Sequence, residues 1–370
     1  MYFKNDNTYN QQEPEMKVTM ESIAQAVGVS QPVVSAVLNN RSYCRVSQEK
    51  RDAIFALAKE LNYRPNSSAR RLRGKKTDTI AIFTSRNCSS LQNEILRTMI
   101  GLLQASHLHS YAVVVDDEKE LDEKLLDMQA LGIDGFIGFY LDFDLQTDKW
   151  PLPSVNVGVQ RRNPDVAADT FQGAKMLCSH LLQHGRSRIT FLCNTLDSNC
   201  DKFAGIEEAI REHGRSDVTL SCLEFADDLS IVDDILAAVR EGKCDAFMAS
   251  NDSVAGCLMN VLLRAGITVP DQVAVTGFDG LALGVMTPLM LTTAVQSPGR
   301  IAEESVRLLR ERLENKACKC RALLPVSLRI GESCGCSVPF ESDFFWEFLP
   351  SVLEEKVATV AAKAEKSGTF

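Results

Sequence analysis

The sequence predicts a small all-α helix-turn-helix head followed by an α/β body built on doubly wound parallel sheets. Three observations carry that prediction. Val18 to Asn39 reads as two short helices joined by a glycine turn, basic charge is concentrated between Lys17 and Lys76, and from Thr79 onward short apolar runs alternate with helical periods.

In the first helix Met20, Ile23, Ala24 and Val27 recur at the spacing of one buried helical face. Gly28 ends it, because glycine takes the left-handed conformation without a Cβ clash. Ser30 stands at the N-cap of the second helix and Pro32 falls in its first turn, where no amide hydrogen is needed. Val33, Val34, Val37 and Leu38 form the apolar side of that helix, which turns Gln31, Ser35 and Asn39 outward. Such a pair lays its second helix in the DNA major groove, although on this stretch alone an ordinary αα-hairpin fits as well. Ser47 caps a third helix, Gln48 to Leu61, with Ile54, Phe55, Leu57, Ala58 and Leu61 expected to pack on the first two. Tyr63-Arg64-Pro65-Asn66 closes the head, since proline disfavours helix at the residue before it.

Charge favours the DNA-binding reading. Lys17 to Lys76 holds 12 Lys+Arg against 4 Asp+Glu, a net of +8, within a chain of net −9. The body from residue 77 onward carries −15. Cations that displace counterions from phosphate are thus gathered in the head, and the acidic body keeps itself away from DNA.

In the body, Thr79–Thr84, Tyr111–Val115, Gly135–Phe139, Ile189–Cys193, Asp245–Ser250 and Val273–Phe278 read as strands. Leu91–Gln104, Leu121–Ala130, Phe171–His184, Phe203–His213, Ile231–Arg240 and Ser253–Ala265 read as the helices between them. A chain of 370 residues has room for two such sheets.

Several function classes are excluded or disfavoured. No run reaches the ~18 apolar residues of a membrane span, so no membrane partner is expected. Residues 1–16 lack an apolar leader core and read as a disordered arm, which points to a cytoplasmic protein. The 12 cysteines are scattered, as free thiols in a reducing compartment would be. Cys318/Cys320 and Cys334/Cys336 are the suggestive pairs, but structural zinc prefers two or more residues between paired cysteines, so no metal or other cofactor is expected. Gly331-Glu-Ser-Cys-Gly335 matches a nucleophile elbow, yet no helix follows and His213 is the last histidine, so an enzyme is not expected.

Four segments resemble the LacI/GalR family of bacterial transcription regulators. They are VTMESIAQAVGVSQPVVSAVLN, VSQEKRDAIFALAKELNYRPNSSARRLR, HLLQHGRSRITFL and VPDQVAVTGFDGLALGVMTPLMLTTAVQ, and with their spacing they cover about residues 17–336. The resemblance implies a body of two lobes, periplasmic-binding-protein-like. The expected division is a head at 17–66, a hinge helix and linker at 67–76, a core at 77–336, and a partly helical tail at 337–370. Within the core, lobe 1 covers about 77–169 and 297–321, and lobe 2 about 170–296 and 322–336. The aromatic tail residues Phe344, Phe345, Trp346 and Phe348 are expected to dock on the chain's own body.

The resemblance also implies function: a sequence-specific regulator, repressing transcription as a homodimer on double-stranded operator DNA, its affinity set by a small-molecule effector between the lobes. The alternative is a small-molecule binding protein whose basic head serves only for attachment. Thr19, Ser30, Gln31, Ser35, Asn39, Ser47, Asn66, Arg70 and Leu72 make up the set expected at DNA, with Gln31 the base reader and Leu72 a minor-groove wedge. The family's TVSRVLN is VVSAVLN here, so Ala36 replaces a base-reading arginine, and the loop NNRSYCRVS is longer than usual. For the effector, Asp279 of Gly277-Phe278-Asp279-Gly280 carries over, and Asp252 follows another strand end, where a helix-cap or Asx-turn role is equally open. Lys202 of Lys202-Phe-Ala-Gly205 stands where the family has an arginine, and Leu91-Gln92 where it has an aromatic pair. A sugar ring thereby loses a stacking platform and a planar fork, which leaves the effector as carbohydrate-like or another polar metabolite.

Overall fold

The computed structural model describes residues 18–38, 46–63, 76–146, 149–196, 199–225, 231–281, 284, 287–314 and 320–338. The chain divides into two compact units, Met1–Thr77 and Asp78–Phe370.

The first unit contains α1 (Met20–Val27), α2 (Gln31–Leu38) and α3 (Gln48–Glu60). Thr19 and Ser22 satisfy each other's backbone amides in a capping box at the start of α1, with bonds of 3.2 and 3.0 Å. Gly28 ends α1 at φ +67°, its amide returning to the carbonyls of Ala24 and Gln25. Ser47 caps α3 through the Lys50 amide. Ile23, Ala24, Val34, Val37, Ile54 and Ala58 form the buried core, so three helices too short to persist singly are held by one shared apolar contact. Two residues expected in that core are not there. Phe55 and Leu61 remain 40% and 37% exposed, because the face of α3 turned to the core runs through Ile54, Leu57 and Ala58.

The second unit holds two six-stranded sheets, each wrapped by helices. Lobe 1 has strands β1 (Thr79–Thr84), β2 (His109–Val114), β3 (Gly135–Phe139), β4 (Ser154–Val157), β5 (Val166–Ala168) and β11 (Ala322–Leu324), in the order β11-β5-β4-β3-β1-β2, all parallel. Its helices are α4 (Ser90–Ala105), α5 (Glu118–Leu131) and α10 (Pro298–Glu314), the last packing on α4 and β4. Lobe 2 has β6 (Arg188–Cys193), β7 (Thr219–Glu224), β8 (Ala246–Ala249), β9 (Ala274–Asp279), β10 (Thr292–Val295) and β12 (Ser327–Arg329), in the order β12-β10-β9-β8-β6-β7, with β12 alone antiparallel. Its helices are α6 (Thr170–Gln183), α7 (Cys200–His213), α8 (Ile231–Arg240) and α9 (Asp252–Arg264).

The expected division places residue 322 onward in lobe 2, and here the structure differs. Ala322–Leu324 pairs with β5 of lobe 1, and the chain crosses only at Pro325-Val326 before β12 joins β10. Proline has no amide hydrogen for a ladder, so the two short strands on either side of Pro325 belong to different sheets. The central strands β1, β3, β8 and β9 are almost wholly buried, as parallel strands covered on both faces must be. A continuous apolar core runs through both lobes, from Ile80 and Ile95 to Leu177 and Phe191. Among the described residues no helix is long and apolar enough to cross a membrane. Asn39, Asn66, Arg70, Leu72, residues 1–16, most of the 67–76 linker and the tail from 339 onward lie outside the described residues.

Candidate functional site

In the head, α2 presents Gln31 and Pro32 to solvent while Val34, Ala36 and Val37 are buried. Ser30 is exposed, and its carbonyl accepts the first bonds of α2 from Val33 and Val34. Ser35 is half-buried; Thr19 and Ser47 are exposed, their hydroxyls engaged as helix caps. Ala36, the departure from the family motif, is closed in against the helix packing, where a longer side chain would have to leave the core. The Lys50 ammonium reaches the Gly28 carbonyl at 3.4 Å and ties the third helix to the turn between the first two.

The second site is a cleft of about 540 Å³ between the two lobes. Both sheets reverse their strand order beside their first strand, and the crevice lies beyond the carboxyl ends there, as in open parallel sheets generally. Lobe 1 supplies Asn87, Ser89, Leu91, Gln92, Tyr140, Asp142 and Arg162; lobe 2 supplies Asn194, Asn199, Lys202, Ser250, Asn251, Asp279 and Gln296. At the rim the Arg161 amide donates to Asp201 at 3.0 Å, joining the two lobes directly.

Asp279 ends β9 at φ +107° and Tyr140 follows β3 at φ +47°, positions that residues with a Cβ seldom occupy. Strain of this kind persists where the surroundings over-determine it, and both residues border the cleft. The Gln296 amide donates to Asp279 Oδ1 at 2.8 Å. Burial pushes the Asp279 carboxyl up to about 7, with Lys202 opposing and Asp252 reinforcing the shift. The Lys202 ammonium donates to the Ser250 carbonyl at 2.6 Å and lies 4.3 Å from the centre of the Phe278 ring. Burial lowers its pKa against the pull of Asp279 and Asp252. Burial, and then the charge of Asp279, hold the Tyr140 phenol well above its usual range, so it is a neutral donor at the cleft wall. A neutral phenol, a cation and a carboxyl poised near neutrality can together bind a ligand bearing hydroxyls or a partial negative charge.

Asp252, the third residue expected at the effector, is found beneath the cleft floor. It is 0% exposed, accepting from Thr293 Oγ1 at 2.6 Å and from the Leu281 amide at 2.7 Å. Burial pushes it up to about 6 against those bonds. A Cβ on Gly277 would stand 2.3 Å from its Oδ1, so glycine in the GFD turn is required by this carboxylate. The cap of α9 is its neighbour Asn251, which accepts from the Val254 amide. Asp252 therefore braces the Asp279 turn from below. Leu91 and Gln92 do border the cleft, but Leu91 is buried and Gln92 accepts the Ser89 amide in a capping box at the start of α4. Ser333 of the GxSxG segment is buried, donating to the Val275 carbonyl and accepting from the Thr292 amide, which makes it a structural link between strands.

Tyr140, Asp142, Arg162, Asn194, Asn199 and Gln296 were not singled out by sequence. Tyr140 and Asn194 directly follow apolar strands, and that position is the signal that could have found them.

Residues 19–66 match the bacterial regulatory proteins of the lacI family, and residues 178–334 match the periplasmic binding protein-like domain. The chain belongs to the lacI family of bacterial regulators. Family members similar to it over most of both lengths include a ribose operon repressor of Halalkalibacterium halodurans, 29% identical over 85% of this chain and 96% of that one. Another is the transcriptional regulator AscG of Escherichia coli, 28% identical over 79% and 91%. Among solved structures, the lac repressor dimer bound to operator and the anti-inducer ONPF superposes with a TM-score of 0.76 at 22% identity, covering 86% of this chain and 99% of that one. A lacI-family regulator from Enterococcus faecium with bound ribose gives 0.60 at 20% identity, over 69% and 98%. This lacI-family chain thus combines the helix-turn-helix head and the two-lobed core in one polypeptide.

Proposed function

We propose that this regulator represses transcription by binding a two-fold operator as a homodimer, and that a carbohydrate-like or other polar ligand in the interlobe cleft sets its operator affinity. One observation carries the reading. A chain with a basic helix-turn-helix head also holds a desolvated Lys202 on α7 and a buried Asp279 at the end of β9, both lining the interlobe cleft. Proteins similar to this chain include a ribose operon repressor and a lacI-family regulator with bound ribose, which agrees with this reading. The dimer reading is supported by exposed apolar side chains on lobe 1, Tyr111 and Val114 on the edge strand β2 and Leu126 and Leu131 on α5.

Gln31, Ser35 and Asn39 would face the major groove, with Thr19, Ser30 and Ser47 near phosphate. Asn66, Arg70 and Leu72 would belong to a hinge segment that folds on the operator, because eight residues with one large apolar side chain cannot hold a helix alone. Ligand closure that changes the separation of the hinge attachment points would then switch DNA affinity without touching α2.

The test is a gel shift of the intact protein on DNA upstream of its own gene neighbourhood, with and without a panel of sugars and sugar phosphates. Expected are a discrete complex, a log–log salt slope of about −0.9 per neutralised phosphate, and a shift in affinity with at least one ligand class. Salt-independent binding would sink the electrostatic account. Sequence-independent binding unmoved by any ligand would favour the attachment role.

A further inference from the structure

At the far end of lobe 2 from the cleft, the fold gathers nitrogen and sulfur donors that lie 152 to 156 residues apart in sequence. His180 and His184 sit one turn apart near the end of α6, their ring centres 4.5 Å from each other. Cys334 and Cys336 flank the turn that follows β12. His180 Nε2 lies 3.2 Å from Cys334 Sγ and 3.7 Å from Cys336 Sγ, and His184 Nε2 lies 3.4 Å from Cys336 Sγ. The donor atoms of His180, His184 and Cys336 all fall within 4.8 Å of one another.

We propose that His180, His184 and Cys336 form the core of a binding site for a zinc ion, with Cys334, 3.2 Å from His180 Nε2, as its fourth donor. Zinc bonds of about 2.3 Å to sulfur and 2.0–2.1 Å to nitrogen at tetrahedral angles put S and N about 3.5 Å apart. The three separations above bracket that value. Two thiolates and two imidazoles are a donor set suited to a borderline-soft ion with no geometric preference of its own, and exclude the hard cations that take oxygen. Thr292 Oγ1 donates to Cys334 Sγ at 3.0 Å, an outer-shell contact of the kind that orients a ligating sulfur. A CxC pair by itself is a poor zinc motif, which is why spacing in the sequence argues against metal. The fold adds an HxxxH pair on a helix face, and CxC then needs to supply only two corners. Binding would proceed with neutral imidazoles and release both thiol protons to solvent.

The ion would fasten the last part of the core to α6, which begins at the cleft with Thr170, some ten residues or about 15 Å from His180. Zinc and effector would therefore occupy separate sites, and the site does not depend on the function proposed above.

The experiment uses the full chain, reduced and freed of metal by chelation, titrated with Co²⁺ as a spectroscopic substitute and then with Zn²⁺. Expected are tetrahedral d–d and thiolate charge-transfer bands saturating at one ion per chain, displaced by zinc, together with a zinc-dependent rise in melting temperature. Cys336→Ser and His184→Ala should each weaken zinc binding by ~100-fold or more, beyond the loss usual for an outer-shell change. Cys318→Ser/Cys320→Ser and Asp279→Ala should leave it unchanged. Should the ligand variants fail to fold, alkylation of the unmodified protein decides: zinc should protect the part-exposed Cys336 from iodoacetamide while Cys257, an exposed thiol elsewhere, still reacts. Absence of tetrahedral bands, equal stoichiometry in a Cys336→Ser/His184→Ala chain, or a Cys336 that zinc leaves unprotected overturns the proposal.

Discussion

The two lobes repeat one strand order, β5-β4-β3-β1-β2 in the first and β10-β9-β8-β6-β7 in the second, yet they meet the cleft with different chemistry. Lobe 1 presents groups already committed to each other: Ser85 donates to Asp142 at 2.6 Å, Arg162 donates to the Leu141 carbonyl at 2.7 Å, and Gln92 closes a helix cap. Lobe 2 presents buried charge in Lys202 and Asp279, with Asp252 beneath them. Topology thus decides where a cleft lies, and the side chains that line it decide what it can bind. It follows that ligand affinity should be far more sensitive to lobe 2 than to lobe 1.

The largest effect should come from Asp279→Ala. It removes the buried acceptor and leaves the Gln296 amide unpaired, so ligand affinity measured by calorimetry should fall ~100-fold, as for a buried charged hydrogen bond. Operator affinity without ligand, read by gel shift, should stay within about twofold, since the head is a separate unit. Unchanged ligand affinity would remove Asp279 from the site.

Lys202→Met should follow, with a loss of roughly 10- to 50-fold for hydroxyl-bearing or anionic ligands. Methionine keeps the contact with Phe278 and loses the donor, so equal losses for neutral apolar and polar ligands would show that only packing was disturbed.

A third effect is in stability against pH. Asp279 and Asp252 have folded-state values raised to about 7 and about 6, above the ordinary carboxyl range. A raised carboxyl means that the folded chain binds more protons than the unfolded one. Its contribution is full below about pH 4 and is lost as pH rises through 6 to 7. Asp279→Asn should therefore raise the melting temperature relative to the parent at pH 8 and much less at pH 5, a difference on the order of 1–3 kcal/mol. An equal gain at both pH values would mean the carboxyl is not raised.

The smallest effect should be in lobe 1. Arg162→Ala removes a bond to a backbone carbonyl at the cleft wall, and we expect a loss of ligand affinity of no more than about fivefold, near 1 kcal/mol. A loss matching that of Asp279→Ala would erase the asymmetry between the lobes.

The head was legible because its signals are local. Gly28 and Ser47 act on backbone groups within a few residues, and the helix stop and the cap form where the sequence puts them. The central strands were legible for a related reason, since burial on both faces leaves an unbroken apolar run. The short strands β4 and β5 and the mixed edge strand β7 were missed, because three or four residues, or an alternation of Thr, Ser and Glu with apolar groups, match loops as well. Phe55 and Leu61 were misjudged because spacing identifies a helical face but not how wide a stripe its neighbours cover.

By itself, then, the sequence determined the helix-turn-helix, the separation of basic head from acidic body, the alternation that builds parallel sheets, and the GFD turn that holds Asp279. Tertiary structure alone decided that Asp252 lies under the floor, that Tyr140 faces the cleft, and that the histidines of α6 meet Cys334 and Cys336. The reason is range: backbone hydrogen bonding and capping are satisfied within a turn or a strand, whereas a site is assembled by crossovers that bring together residues more than a hundred positions apart, and no local pattern records which of them will meet.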